Sequence, residues 1–226
     1  MTTLILGAHR PLGLACVREV LSRGETVSAG VQAPHRIPPA LQDLREEFPD
    51  RLTALAWQPG AWPALDGITR AIIAELPIPP VQTDEADDAG ADLRALSLDR
   101  LIAESREVIA PTLAAIQFVT QVKPQRVLIQ ASWLGVIEEK IRGGGHGLAM
   151  GYASHLMLVR AASLDLQRAG IATVVGNAGR YRLDMAGPAF HAEIEDVARG
   201  LLAVLDACER HDEPAFRDWR GGIRRW

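Results

Sequence analysis

At 226 residues, 48% of them hydrophobic and 23% charged, the chain has the composition of one ordinary globular domain, and residues 1–226 are expected to share a single core. A formal net charge of -4 argues against a basic nucleic-acid surface. The 2 cysteines and 6 scattered histidines show no metal-ligand spacing, and no segment reaches the roughly 18 apolar residues of a membrane span.

The opening "MTTLILGAHR" lacks a signal peptide's basic flank and long apolar run, so a soluble cytoplasmic domain is expected. "TLILG" (3–7) reads as a buried strand and "LGLACVREVLSRG" (12–24) as a helix with one apolar face. "ETVSAGV" (25–31) closes a strand–helix–strand unit, which implies a parallel sheet. A helix over 41–48 and a strand over 51–57 follow; "GITRAIIAEL" (67–76) reads as helical or mixed, and the proline-rich, acidic stretch 77–92 as an exposed loop. Residues 96–122 predict a long helix that Pro111 should kink. A strand over 125–132, "RGGGHG" (142–147) as a flexible loop, a helix over 152–170, a strand over 171–179 and a helix from 195 to 207 complete the order. The alternation predicts an α/β fold, a doubly wound parallel sheet of Rossmann type in a single domain.

In such a sheet the first strand–helix turn is the place for a phosphate cradle. Here it is "GAHRPLG" (7–13), with Gly7 and Gly13 suited to tight turning and close helix packing. Between them stands Pro11, which lacks the N–H that a cradle donates.

Across "LILGAHRPLGLACVREVLSRG" (4–24), "VLIQASWLGVI" (127–137), the segment from Tyr152 to Pro188, "EDVARGLLAVLDA" (195–207) and "FRDWRGGIRRW" (216–226), the chain resembles the short-chain dehydrogenase/reductase family. Within that family it is similar to the small C-factor- and sniffer-like carbonyl reductases. The resemblance implies a Rossmann-type fold, NADP as cofactor and carbonyl reduction. It carries Gly7, Arg10 and Gly13 over as cofactor-binding residues, and Ser132, Tyr152 and His155 as the catalytic set.

Several of the family's positions are altered. The middle glycine of the turn falls on Pro11, the second phosphate-binding arginine on Gln32, and the adenine-contacting aspartate near Trp57. The asparagine-alanine-glycine stretch after the fourth strand should lie near 77–83, where "PIPPVQT" stands. Ser132 matches the serine that polarises the carbonyl. The lysine becomes His155, and the tyrosine falls on Gly151, with Tyr152 one place late. One helical position is a rotation of about 100°, so Tyr152 is expected to point away from a site that residue 151 would face. The asparagine of the preceding helix falls on Glu107 or Ser105, depending on register.

Taken together, these changes favour a non-catalytic protein with no cofactor, a structural or regulatory subunit of a homo- or hetero-oligomer. The association surface would be the apolar helices near 96–122 and 152–169, pairing with a second copy as a dimer or with an active relative. The alternative is an NADP(H)-dependent reductase using Ser132, Tyr152 and His155; a third reading is a lyase, isomerase or binder using Ser132 and His155 without a nucleotide. Each of these residues also has a structural reading: Ser132 bonding the next turn, Tyr152 packing, His155 as a polar group at a helix start, Arg10 as a surface charge. Trp57 and Trp62 could plug the vacated adenine cleft.

Overall fold

The structure is a computed structural model that describes residues 1–33, 35, 37–77, 94, 96–141, 143–179, 181–182 and 192–226. Most of the acidic stretch expected to be a loop lies outside these residues.

Short apolar runs form the strands β1 (Thr2–Leu6), β2 (Thr26–Gln32), β3 (Leu52–Trp57), β4 (Ile68–Ile73), β5 (Arg126–Ala131), β6 (Ala172–Asn177) and the three-residue β9 (Phe216–Asp218). They pair in the order β3-β2-β1-β4-β5-β6-β9, every neighbour parallel. A second, two-stranded sheet joins β7 (Tyr181–Arg182) to β8 (Ala192–Glu193).

Among the described residues five α-helices cover the sheet: α1 (Pro11–Ser22), α2 (Pro39–Glu47), α3 (Leu98–Val122), α4 (His146–Arg168) and α5 (Ile194–Asp206). Because β side chains alternate, Ile5, Val27 and Ile72 meet α1, α2 and α5 on one face, while Leu4, Leu6 and Ile73 meet α3 and α4 on the other. Leu4, Ile5 and Leu6 are fully buried; each such side chain stabilises the fold by roughly 1.5–3 kcal/mol.

The expected doubly wound domain is therefore present, with some local differences. Residues 68–73 form a central strand, not a helix. Its charged residue, Arg70, is 1% exposed and is held by Thr3 Oγ1 at 2.9 Å, Glu25 Oε2 at 2.6 Å and the Asp206 carboxylate. α4 begins at His146, six residues before the expected start, behind Gly145 at φ 56°. The glycine-rich stretch thus supplies the helix's first residues rather than only a loop. α3 runs unbroken through Pro111.

Candidate functional site

The strand order reverses between β1 and β4, and in open parallel sheets ligands settle in the crevice at the carboxyl ends of such strands. Gly7 leaves β1 at φ 88°, and a Cβ there would come within 2.4 Å of the Ala74 carbonyl oxygen. A Cβ on Gly13 would lie 2.1 Å from the Gly7 carbonyl oxygen, so this glycine lets α1 close onto the turn. Both glycines are required by the backbone, whether or not a ligand binds. Arg10 is the N-cap of α1 and Pro11 its first residue, so the first helical position has no N–H to offer.

The turn after β4 begins at Ala74, earlier than the sequence expectation placed it, because the strand ends at Ile73. Its second residue is Glu75, whose side chain has no exposed surface. Glu75 Oε2 lies 3.5 Å from Arg10 Nε and 4.0 Å from His9 Nε2, and among the described residues neither carboxyl oxygen has a hydrogen bond. Burial pushes the carboxyl up to about 7, against the pull of the Arg10 guanidinium. Burial, helped by Arg10 and His35, pushes His9 down to about 4. The two imidazoles stack with centroids 4.3 Å apart. Around Arg10, then, stand a neutral imidazole and a carboxyl poised near neutrality. Sequence reasoning missed Glu75; the available signal was an acidic residue two places beyond a central strand.

Tyr152 differs from expectation. It is 3% exposed, packs with Leu76 and Val108, and donates its hydroxyl to the Pro77 carbonyl oxygen at 2.9 Å. It therefore points towards the end of β4 and not away from it. Residue 151 is the one that faces elsewhere: a Cβ on Gly151 would lie 2.9 Å from Ser105 Cα and 3.0 Å from Val108 Cγ2, so this position is pressed against α3. Burial, with the negative charge Tyr181 would carry, holds the Tyr152 phenol well above its usual range.

His155 is fully buried between α4 and α3, its Nε2 3.0 Å from Thr112 Oγ1 and its Nδ1 without a partner among the described residues. Burial pushes it down to about 4, so at neutral pH it is an uncharged imidazole. Ser132 follows β5 and its Oγ accepts from Leu134 N at 3.2 Å, capping a short 3-10 turn. Tyr152 packs near that turn through Leu134. The structure thus gathers Tyr152, Arg10 and Glu75 around the carboxyl end of β4. His155 it turns aside into the helix pair.

Trp57 is 2% exposed at the end of β3, its ring centroid 5.5 Å from that of Phe118 on α3. Trp62 stacks on the same ring at 6.3 Å. Gln32, opposite Trp57 in the sheet, lines a shallow depression of about 330 Å³ with Pro59, Arg106 and Glu107. Ser105, one of the two candidates for the family's asparagine, bonds the Leu101 and Gly147 carbonyl oxygens.

No family model matches the chain. Over 102 residues it is 31% identical to the C-signal of Myxococcus xanthus; the match spans 45% of this chain and 61% of that protein, about three fifths of its length. Among solved structures, a short-chain dehydrogenase/reductase from Burkholderia multivorans with bound NADP superposes at a TM-score of 0.80 with 23% identity, covering 100% of this chain and 99% of the other. A Pseudomonas aeruginosa carbonyl reductase in complex with NADP reaches 0.74 with 20% identity over 100% and 99% of the two chains. The carbonyl reductase Sniffer of D. melanogaster reaches 0.76 with 15% identity and the same coverage. The fold is that of the short-chain dehydrogenases/reductases.

Proposed function

Starting from a short-chain dehydrogenase/reductase fold whose cleft carries its own carboxyl group, we propose that this chain is a non-catalytic member acting as a structural or regulatory subunit. The observation that carries the reading is His155. The resemblance assigns its position to a cation that lowers the tyrosine's pKa, yet the imidazole is buried, neutral and bonded to Thr112. With a neutral imidazole at the family's cation position, burial outweighing the pull of Arg10, and its hydroxyl engaged by a backbone carbonyl, Tyr152 is a poor proton donor.

The residues at the first turn also do not fit a dinucleotide. Pro11 withholds a backbone donor, and the Glu75 carboxyl adjoins the place where a pyrophosphate would need positive surroundings. Trp57 and Trp62, packed on Phe118, support the plugged adenine cleft. No proton or hydride step is therefore assigned to this chain.

What the chain offers instead is a pair of helices with apolar surface. Leu98 and Ile102 on α3 are 70% and 53% exposed, and Met157 on α4 is 69% exposed. These side chains suit association with a second copy or an active relative. Among the described residues no helix is long and apolar enough to cross a membrane.

A second reading is an NADP(H)-dependent carbonyl reductase using Ser132, Tyr152 and His155, with Gly7, Arg10 and Gly13 at the cofactor. It is favoured by Tyr152 reaching the end of β4 and by the NADP bound in two of the similar structures. Titration with NADPH and then NADH, read by calorimetry and tryptophan fluorescence, separates the two. The non-catalytic reading expects no saturation up to millimolar cofactor and, by light scattering, a species larger than one chain. Micromolar binding with turnover of a carbonyl substrate would replace it by the reductase.

A further inference from the structure

The switch point between β1 and β4 contains a group that a ligand crevice there would not be expected to hold. Glu75 is completely buried; among the described residues its two oxygens have no hydrogen-bond donor, and its nearest cation is Arg10 at 3.5 Å. The main-chain N of Glu75 is also 3.0 Å from where a Gly7 Cβ would stand, so this residue directly adjoins the turn that opens α1.

An α/β sheet of this kind receives phosphate at that turn, on the amino end of the first helix and any nearby arginine. We propose that the Glu75 carboxyl is the built-in occupant of this phosphate seat: it takes the Arg10 guanidinium for itself and excludes phosphorylated ligands from the β1–α1 turn. The assignment rests on the non-catalytic reading above and deepens it, since it names the residue that closes the site and the ligand class it turns away.

Among the described residues, the charged and titratable groups around the carboxyl are few. His9 and Arg10 face it from the β1–α1 turn, and His35, following β2, stacks on His9. Tyr152 on α4 and Tyr181 on β7 lie within the electrostatic reach of Arg10. Among the described residues Arg10 is the cation that Glu75 and an incoming phosphate would share. Two anions on one partly buried guanidinium repel each other, so the ionised carboxylate and a phosphate exclude one another. The carboxyl's elevation to about 7 makes the exclusion strongest in mildly alkaline solution and weaker in mild acid.

The test is calorimetric titration of the full chain with inorganic pyrophosphate at pH 8, comparing wild type with Glu75→Gln, whose fold is checked by circular dichroism. The variant should bind pyrophosphate on the order of tenfold tighter or more, the change expected when one like charge leaves the seat. Equal affinity in a folded variant overturns the assignment. Should Glu75→Gln fail to fold, the Glu75-containing chain answers with sulfate, which stays a dianion from pH 8 to pH 6, in a His35→Gln background that removes the exposed imidazole. Its sulfate affinity should rise severalfold on acidification, and a flat response overturns the proposal. The two readings fail separately. Micromolar NADPH binding by wild type at pH 8 overturns both, whereas silence from wild type and Glu75→Gln alike overturns only the role given to Glu75.

Discussion

Replacing His155 with glutamine decides whether this position holds a cation or a core imidazole. Glutamine can keep a hydrogen bond to Thr112 but cannot take up a proton. In the unfolded chain the imidazole titrates at 6.5, and in the folded protein at about 4. The difference of 2.5 (6.5 − 4) corresponds to about 3 kcal/mol at roughly 1.4 kcal/mol per pKa unit. A base whose folded value is depressed is neutral in the fold, so its stabilising contribution is complete above pH 6.5 and is lost as pH falls towards 4. The side chain is fully buried, and solvent screening does not reduce this figure much. Urea unfolding of wild type and His155→Gln at pH 7.5 and 4.5 should therefore show wild type losing about 2 to 3 kcal/mol relative to the variant. His9 and Glu75 titrate in the same window but are present in both proteins and cancel in the difference. A difference that does not change with pH, or an imidazole carbon resonance titrating near 6.5, would refute the reasoning and make His155 a hydrated cation available to Tyr152.

Three further outcomes follow from the same contacts. Glu75 is an acid whose folded value, about 7, stands above its ordinary 4.5, so wild type loses stability as pH rises between those values. Glu75→Gln removes that loss, and urea titrations at pH 5 and 8 should show the variant gaining about 2 to 3 kcal/mol on wild type, whereas parallel profiles would mean the carboxyl is hydrated. Trp57→Ala should cost about 3–5 kcal/mol in thermal or urea unfolding by emptying the space beside Phe118, and a loss under 1 kcal/mol would show that the ring is not packed. Gly151→Tyr, which puts the tyrosine in the family's register, should destabilise the chain by several kcal/mol and leave it without NADPH-dependent reduction, because the new Cβ meets Ser105 Cα at 2.9 Å; a stable, active variant would contradict the described α3–α4 packing.

The order of elements was legible because each apolar run and each helical period is a local signal. β4 was not, since Arg70 breaks its apolar run and is neutralised only by Glu25 and Asp206, which lie far away in sequence. β9 is three residues long and exists through pairing with β6, which no local pattern announces. In the site, Gly7, Arg10 and Gly13 could be placed by their position after the first strand. The side-chain direction of Tyr152 could not, because it depends on how closely Gly151 lets α4 approach α3. Glu75 was hidden by the misreading of β4: as part of a helix it would have been one more surface charge.

The packing at Gly151 acts as a ratchet. No single substitution can enlarge the side chain at this position without displacing α3. A tyrosine at 151 meets the main chain of α3, and α3 gives way only if Ser105, Val108 and the residues beneath them are altered first, with no benefit until the last change is made. Point variants at 151 would therefore be lost to instability before any effect on the cleft could be read. A larger residue at 151 would have to be preceded by moving one helix.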